Sequence, residues 1–305
     1  MKTYTPKTVI IGSSGFIGSG FSSFYRTIYS DCYCLDKRVV NDTTLFFDLM
    51  KPDISSLKLA EKDYKDALIL AAVSKVDKCE KERELTKKIN VDGTLELVRQ
   101  LVDEGIRPIY FSSDYVFSGE GGKYSDDAKV CPVTEYGRQK AEVEEKIKEV
   151  SKNNYLVIRM SKVFSLEKND GTLLDEMAGI LASEGTIRSA YDQIFCPTLL
   201  QDIIRAVVLL QSKSFNGIVN VCSPEAWSRY DLALRLAGLL KIDPSRVLRV
   251  SLDEIGFKSK RPKDTSMIPE RLLTEVGFDF TPIMQCVESV AKNWLGNEDG
   301  RKDTH

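Results

Sequence analysis

The chain has 305 residues, which is enough for one large or two modest domains with a sizeable core. Charged residues make up 29% of the sequence but the formal net charge is only −2, so the composition indicates neither a nucleic acid nor a membrane surface as partner. No stretch approaches the ~18 apolar residues of a membrane span. The apolar run near the N-terminus ends at Gly12, unlike that of a signal peptide.

Histidine and cysteine usage narrows the chemistry. The only histidine is His305, which argues against a Ser-His-Asp hydrolase and most zinc enzymes, so we expect no metal site. The seven cysteines are scattered, odd in number and without a CxxC pair. This pattern is typical of reduced thiols in a cytosol, and we therefore expect a cytoplasmic location.

The first half of the chain alternates short apolar runs with amphipathic segments. Strands are predicted at residues 7–12, 31–38, 67–73, 107–117 and 154–164. Helices are predicted at residues 15–27, 79–105 and 136–152. Short apolar strands separated by helices indicate a parallel sheet covered on both faces, so the predicted fold class is α/β with a Rossmann-type doubly wound sheet.

The second half is less regular. Residues 217–223 are predicted to form another buried strand that rejoins the sheet, and residues 228–242 a helix with Ser228 as its N-cap. Two domains are therefore predicted. A dinucleotide-binding domain is formed by residues 1–165, with residues 196–223 returning to it. A smaller mixed domain that binds substrate is formed by residues 166–195 and 224–305.

The stretch "VIIGSSGFIGS" places three glycines directly after the first predicted strand. Gly12 permits a tight turn, Gly15 lets a phosphate approach the backbone, and Gly18 lets the following helix pack closely on the sheet. A pyrophosphate would then lie on free N–H groups at the helix N-terminus, as in dinucleotide sites. Further cofactor contacts are predicted within this turn, at Ser14, Phe16 and Ile17.

The second predicted strand ends in Asp36, where a carboxylate can bind the hydroxyls of the adenine ribose and favours NAD. Lys37 and Arg38 follow at once and could hold a 2′-phosphate, so the cofactor is predicted to be NAD or NADP. Asp48, after a short third strand, could reach the adenine amino group. Cofactor contacts are also predicted at Leu49, Ala71 and Ala72, although the two alanines could equally be core.

Tyr136 and Lys140 are four residues apart near the start of a predicted helix, so they share one face. A phenol near its free pKa of about 10 transfers protons poorly at neutral pH. A neighbouring cation stabilises the phenolate and lowers that pKa toward the working range. We therefore expect this pair to perform acid–base chemistry.

The chain resembles the extended short-chain dehydrogenase/reductase superfamily, and within it the dTDP-4-dehydrorhamnose reductase family. The similarity lies in "AAVSKVDKCE", in "FSSDYVFSGEGGKYSDDAKVCPVTEYGRQK", in "IFCPT" and in "KRP", and it runs from about residue 8 to 270. The glycine spacing, GxxGxxG, is similar to that of the same superfamily.

The resemblance implies roles for individual residues. It makes Ser113, Tyr136 and Lys140 catalytic, with Ser113 orienting the substrate carbonyl and Lys140 also binding the nicotinamide ribose. It makes Asn90 a residue that places the active-site strands, or else a buried structural amide. Substrate contacts are implied at Ser74, Asp114, Tyr115, Lys162 and Arg261, with Arg261 a candidate for phosphate.

One departure from the family is informative. Where those reductases have Arg-Thr-Ser-Trp-Val, this chain has "RMSKV", so Met160 replaces a threonine and Lys162 a tryptophan. An aromatic wall beside the sugar has become a cation, which favours a different sugar, one with an acidic group.

The predicted function is thus reduction of a nucleotide-linked 4-ketosugar, with hydride passing from NAD or NADP to the carbonyl and Tyr136 as acid. The first alternative is an epimerase or dehydratase of the same superfamily that keeps NAD bound. The second is a non-catalytic dinucleotide-binding subunit, since the regulatory β subunit of methionine adenosyltransferase resembles the same reductases. A nucleotide sugar is the expected partner, and a homodimer is left open because dimers are common in the superfamily.

Overall fold

The structure, a computed structural model, describes residues 5–29 and 31–296. In chain order the strands are β1 (Thr8–Ile11), β2 (Cys34–Asp36), β3 (Thr44–Phe46), β4 (Asp66–Ile69), β5 (Arg107–Ser113), β6 (Leu156–Met160), β7 (Val163–Phe164), β8 (Ile187–Ala190), β9 (Ile194–Phe195), β10 (Thr198–Leu199), β11 (Gly217–Val221), β12 (Trp227–Ser228) and β13 (Val247–Val250). The α-helices are α1 (Phe16–Arg26), α2 (Val76–Lys81), α3 (Arg83–Lys87), α4 (Thr94–Asp103), α5 (Glu135–Val150), α6 (Leu173–Ala182), α7 (Leu200–Ser212), α8 (Arg229–Leu239), α9 (Leu252–Ile255) and α10 (Ile283–Leu295).

The predicted doubly wound parallel sheet is confirmed. Seven strands lie in the order β3-β2-β1-β4-β5-β6-β11, and every neighbouring pair is parallel. The strand order reverses between β1 and β4, and this switch point is where open α/β sheets bind ligands at the carboxyl ends of their strands. Within the described residues, no helix has the length and apolar character that crossing a bilayer requires.

Helices cover both faces of the sheet. Val98 of α4 and Val143 of α5 are buried against one face, and Phe21 of α1 and Val207 of α7 against the other. The seven cysteines are unpaired, and only Cys131 is exposed. The sheet therefore has the two apolar faces that its continuous apolar strands predicted.

A separate hydrophobic core lies in the second half of the chain, where α6, α8 and α10 pack together. Short strand pairs join its segments: β7 with β10, β8 with β13 and β9 with β12. Leu272 and Phe278, although late in the chain, pack instead with α1 and α7 against the sheet. The division into two domains stays a prediction. By its packing, the segment with Leu272 and Phe278 belongs to the core of the central sheet.

The structure corrects several predicted boundaries. The helix predicted over 79–105 is divided into α2, α3, a π-helical turn at Lys88–Gly93 and α4. The strand predicted over 107–117 ends at Ser113, where a 3₁₀ turn begins. The predicted N-cap is confirmed, because the Ser228 side chain accepts a hydrogen bond from the Asp231 N–H.

Candidate functional site

The turn between β1 and α1 requires two of its three glycines for its own packing. Gly12 has φ +93°, and a Cβ there would lie 2.5 Å from the backbone nitrogen of Ala71. A Cβ at Gly18 would lie 2.0 Å from the Gly12 carbonyl oxygen. At Gly15 the nearest atom would be 3.5 Å away, an ordinary contact. The protein itself therefore has room for a side chain at Gly15, and Gly15 lines a cavity in which a ligand can approach the backbone.

A cavity of about 350 Å³, here called the glycine-turn cavity, lies at the carboxyl ends of β1 to β4. Nine of the predicted cofactor residues line it: Gly12, Gly15, Asp36, Lys37, Arg38, Asp48, Leu49, Ala71 and Ala72. Sequence reasoning did not find four other lining residues, Phe47, Leu70, Val73 and Ile89. Six predicted cofactor residues do not line it: Ser14, Phe16, Ile17, Gly18, Tyr136 and Lys140.

The charged groups at this cavity are largely paired with one another. The Asp36 carboxylate accepts hydrogen bonds from the backbone N–H groups of Ser14 (3.0 Å) and Arg38 (2.9 Å). The Lys37 ammonium forms an ion pair with Asp48 at 2.8 Å, and this contact lowers the pKa of the Asp48 carboxyl. The Arg38 guanidinium reaches only the Ser14 carbonyl oxygen, at 3.2 Å, and is the cation left without a carboxylate partner among these residues.

A second cavity of about 230 Å³, here called the tyrosine cavity, lies beyond the ends of β5 and β6. Six predicted residues line it: Ser74, Ser113, Asp114, Tyr115, Tyr136 and Lys162. Seven further residues were not predicted: Val76, Ser161, Gln193, Phe195, Arg229, Pro262 and Thr265. Val73 lines the glycine-turn cavity and the next residue, Ser74, lines the tyrosine cavity, so the two cavities adjoin along the chain.

Tyr136 reaches this cavity because the first turn of α5 packs closely on the segment after β5. The Thr134 side chain caps α5 by accepting from the Gly137 N–H at 3.0 Å, and a Cβ at Gly137 would lie 2.1 Å from the Tyr115 carbonyl oxygen. Burial raises the pKa of Tyr136, and hydrogen bonding with the Ser113 side chain partly offsets this. The expected lowering of the phenol pKa is therefore absent from the ligand-free protein, because desolvation disfavours the phenolate.

Lys140 lies one helical turn further along α5 and is buried. Its ammonium donates a 2.7 Å hydrogen bond to the Phe111 carbonyl oxygen and lies 5.9 Å from the centre of the Tyr136 ring. Burial lowers the pKa of Lys140 to about 8, although the nearby Glu144 carboxylate acts in the opposite direction. The predicted pair thus shares one helix face, with the ammonium beneath the phenol.

Asp114 is held by hydroxyl groups from three separate segments. Ser113, Ser161 and Thr265 donate to its carboxylate at 3.0, 2.9 and 2.7 Å. Burial nevertheless raises the pKa of Asp114. In the sequence nothing links Ser161 and Thr265 to Asp114, because they are distant in the chain and meet only through the tertiary fold.

Asn90 lies in the π-helical turn and binds the loop between the two cavities. Its side chain accepts from the Val73 N–H at 2.7 Å, donates to the Val73 carbonyl oxygen at 3.0 Å and donates to the Gln139 side chain at 2.8 Å. Arg261, in contrast, lines neither cavity and forms an ion pair with Asp77 at 2.8 Å. Its assignment as a phosphate contact stays a prediction.

The comparisons with known proteins agree on one family. The model described as RmlD substrate binding domain matches residues 7–295. The spore coat polysaccharide biosynthesis protein SpsK of Bacillus subtilis is 27% identical over 274 residues, which cover 89% of this chain and 92% of that protein. Methionine adenosyltransferase 2 subunit beta of Danio rerio is 23% identical over 300 residues, covering 94% and 91% of the two chains.

Among solved structures, that of the dTDP-4-dehydrorhamnose reductase from Bacillus anthracis, in complex with NADP, is similar along nearly the whole chain. The TM-score is 0.80 at 25% identity, and the match covers 93% of this chain and 98% of that one. The similarity therefore extends over both hydrophobic cores, not only over the sheet.

Proposed function

Because this chain belongs to the RmlD substrate binding domain family, we propose that it is an NAD- or NADP-dependent reductase of a nucleotide-linked 4-ketosugar. One observation carries the proposal: Tyr136 and Ser113 line a small cavity that adjoins the glycine-turn cavity at Val73 and Ser74. A carbonyl held in the first cavity would lie beside both a proton donor and a cofactor in the second.

The residues of the glycine-turn cavity fit a dinucleotide. Gly15 leaves its side of the turn open, and the N-terminus of α1 offers backbone N–H groups to a pyrophosphate. Asp36 and Arg38 would flank the adenine ribose, and Ala71 and Ala72 would leave room further along the cavity. When bound, NADH or NADPH supplies the hydride.

The chain's own residues would control the proton. The raised pKa keeps Tyr136 protonated at neutral pH, so its hydroxyl can donate to the carbonyl oxygen as negative charge develops there. Ser113 would orient the same oxygen, for which its hydroxyl must turn from Asp114, to which it donates in this structure. Lys140 beneath the phenol would stabilise the phenolate left after donation.

Two alternatives remain to be distinguished. An epimerase or dehydratase would use the same residues but return the hydride to the substrate. The likeness to a methionine adenosyltransferase β subunit favours, as the other alternative, a protein that binds a dinucleotide without catalysis. The buried Lys140 and the Ser113–Tyr136 contact support catalysis, because a binding subunit has no need of a desolvated lysine under a phenol.

The test is cofactor oxidation, measured by absorbance, with NADH or NADPH and a panel of nucleotide-linked 4-ketosugars. We expect turnover with one sugar class and a loss of at least about 100-fold in kcat for Tyr136→Phe, since that variant lacks the acid. Tyr155→Phe, which removes a hydroxyl outside both cavities, is the matched control and should keep full activity. Interconversion of sugars without net cofactor oxidation would favour the epimerase, and dinucleotide binding without any turnover the non-catalytic subunit.

A further inference from the structure

Two cations line the tyrosine cavity, and neither has a close carboxylate partner. Lys162 follows β6 and Arg229 begins α8, so they come from the two different hydrophobic cores of the molecule. Apart from these two cations, the only charged residue that lines the cavity is Asp114. Two cations without a close carboxylate partner in so small a cavity concentrate positive charge there, and that charge favours an anionic ligand.

Lys162 forms no ion pair and no side-chain hydrogen bond within residues 5–29 and 31–296. It lies exposed at the cavity wall, yet its pKa is lowered, by desolvation and by the positive charge of Arg229. The two cations thus act on each other through the cavity. Such repulsion costs free energy unless an anion lies between them.

Arg229 is the more enclosed of the two, with a side chain that is only 25% exposed. Its one ion pair is long, 3.6 Å to Glu176, whose side chain is 58% exposed and lies outside the cavity lining. No side-chain hydrogen bond of the guanidinium is found in the described part of the chain. Most of its five donors are therefore available to a ligand with several acceptor oxygens.

Asp114 can offset only one of these two positive charges. Its carboxylate already accepts hydrogen bonds from Ser113, Ser161 and Thr265, and it forms no ion pair with either cation within residues 5–29 and 31–296. With two cations and one carboxyl, the residues that line the cavity keep a net positive charge, and this charge favours an anionic group on the ligand.

We propose that Lys162 and Arg229 form an anion subsite that binds a carboxylate on the sugar ring, so that the substrate is a nucleotide-linked keto-hexuronate or a related acidic sugar. The proposal rests on the proposed function for the identity of the ring. A cavity of about 230 Å³ has room for little more than one hexose, so a group bound by the two cations belongs to the ring that faces Tyr136. The other anion within reach of such a ring is the phosphate on its anomeric carbon.

The experiment is calorimetric binding of UDP-glucuronate, UDP-glucose and free UDP in the presence of saturating NADPH, with the dTDP counterparts in parallel. The two sugars differ only by a carboxylate in place of a hydroxymethyl group, and neither has a ketone to be reduced. We expect the wild-type protein to bind the glucuronate form at least about tenfold more tightly, which corresponds to about 1.4 kcal/mol. Lys162→Gln and Arg229→Gln should each reduce this preference to about twofold, and Lys162→Arg should retain it.

Lys260→Gln removes an exposed cation outside the cavity and should change nothing. Equal weakening of all three probes by Lys162→Gln and Arg229→Gln would place the diphosphate on these residues and overturn the assignment to the sugar. A wild-type protein without any preference for glucuronate would overturn it as well. Binding is measured without turnover, so the outcome of this experiment does not depend on whether the reductase assay succeeds.

Discussion

Lys140 carries an energetic penalty in the folded protein because its ammonium is buried. Its ammonium is buried, with one hydrogen bond to the Phe111 carbonyl oxygen, and its pKa falls to about 8 from an ordinary value of 10.5. Between these two pH values the unfolded chain binds more protons than the folded one. The stability of the folded protein therefore rises with pH through this window, and the full penalty is present below pH 8.

We predict that replacing this ammonium changes the pH profile of stability. The difference in unfolding free energy between Lys140→Met and the wild type should be most favourable to the variant below pH 8. It should then shrink by on the order of 3 kcal/mol as the pH approaches 10.5, because the wild-type lysine loses its charge. Urea unfolding of both proteins at several pH values measures this difference.

Lys146→Met is the control for that measurement. Lys146 lies on the exposed side of α5, and its ion pair with Glu142 raises its pKa, so its contribution to stability runs in the opposite sense. A profile for Lys140→Met that is flat, or that matches the Lys146 control, would show that the Lys140 amine is not charged and desolvated in the folded protein.

At the scale of elements, the sequence predicted best those helices and strands whose ends are determined by neighbouring residues in the chain. The strand predicted at 7–12 and the helix predicted at 15–27 are found as Thr8–Ile11 and Phe16–Arg26, and the predicted Ser228 cap is confirmed. The segment predicted as one long helix over 79–105 is helical except for an interruption at Glu82, and it winds as a π-helix at Lys88–Gly93, where tertiary contacts act. Asn90 turns inward to bind Val73, and Gly93 packs against the Leu49 carbonyl oxygen, where a Cβ would come within 1.9 Å.

The glycine turn supports a prediction that separates packing from ligand binding. Gly18→Ala should destabilise the protein by about 1–3 kcal/mol, because its Cβ would overlap the Gly12 carbonyl oxygen. Gly15→Ala should leave the unfolding free energy nearly unchanged, because the nearest atom is 3.5 Å away. It should nevertheless weaken NADH or NADPH binding at least about tenfold, since the methyl group would occupy the approach of the pyrophosphate.

Thermal unfolding and dinucleotide titration of the two glycine variants give both quantities. Each variant is the control for the other, because both replace glycine by alanine and the two positions are only three residues apart. Unchanged dinucleotide affinity in Gly15→Ala would contradict a phosphate site at this turn, and a loss of stability in the same variant would contradict the room for a side chain at Gly15.

At the scale of the whole molecule, only about half of the residues that line the tyrosine cavity were predicted from the sequence. Ser113 and Tyr136 belong to a motif that the sequence displays in one stretch. Gln193, Arg229 and Thr265 approach the same cavity from segments far apart in the chain, and no pattern within those segments marks them. Their arrangement depends on how the second hydrophobic core sits over the ends of β5 and β6, which is a property of the tertiary packing.

One contact between distant segments of the chain is the ion pair of Asp77, in the first turn of α2, with Arg261. Ser259 also donates to the same Asp77 oxygen, at 2.7 Å, so a single carboxylate holds two residues of the loop that follows α9. The Arg261 side chain is only 9% exposed, and its other terminal nitrogen is buried without a partner. The loop therefore depends on Asp77 for its position over the tyrosine cavity, which the neighbouring Pro262 lines.

We predict that Asp77→Ala releases this loop while the rest of the fold stays intact. Amide hydrogen exchange over residues 257–263 should become at least about tenfold faster, and exchange in the strands of the sheet should not change, because local opening does not require global unfolding. Lys263→Gln is the control, since it removes the ion pairs of the same loop with Asp192 and Asp253 and leaves the Asp77 contacts in place. If the control accelerates exchange as much as Asp77→Ala does, the loop is held by its own neighbours and the Asp77 contact is incidental. Faster exchange only in Asp77→Ala, together with a higher KM and an unchanged kcat, would identify the ion pair as the contact that keeps the substrate cavity covered.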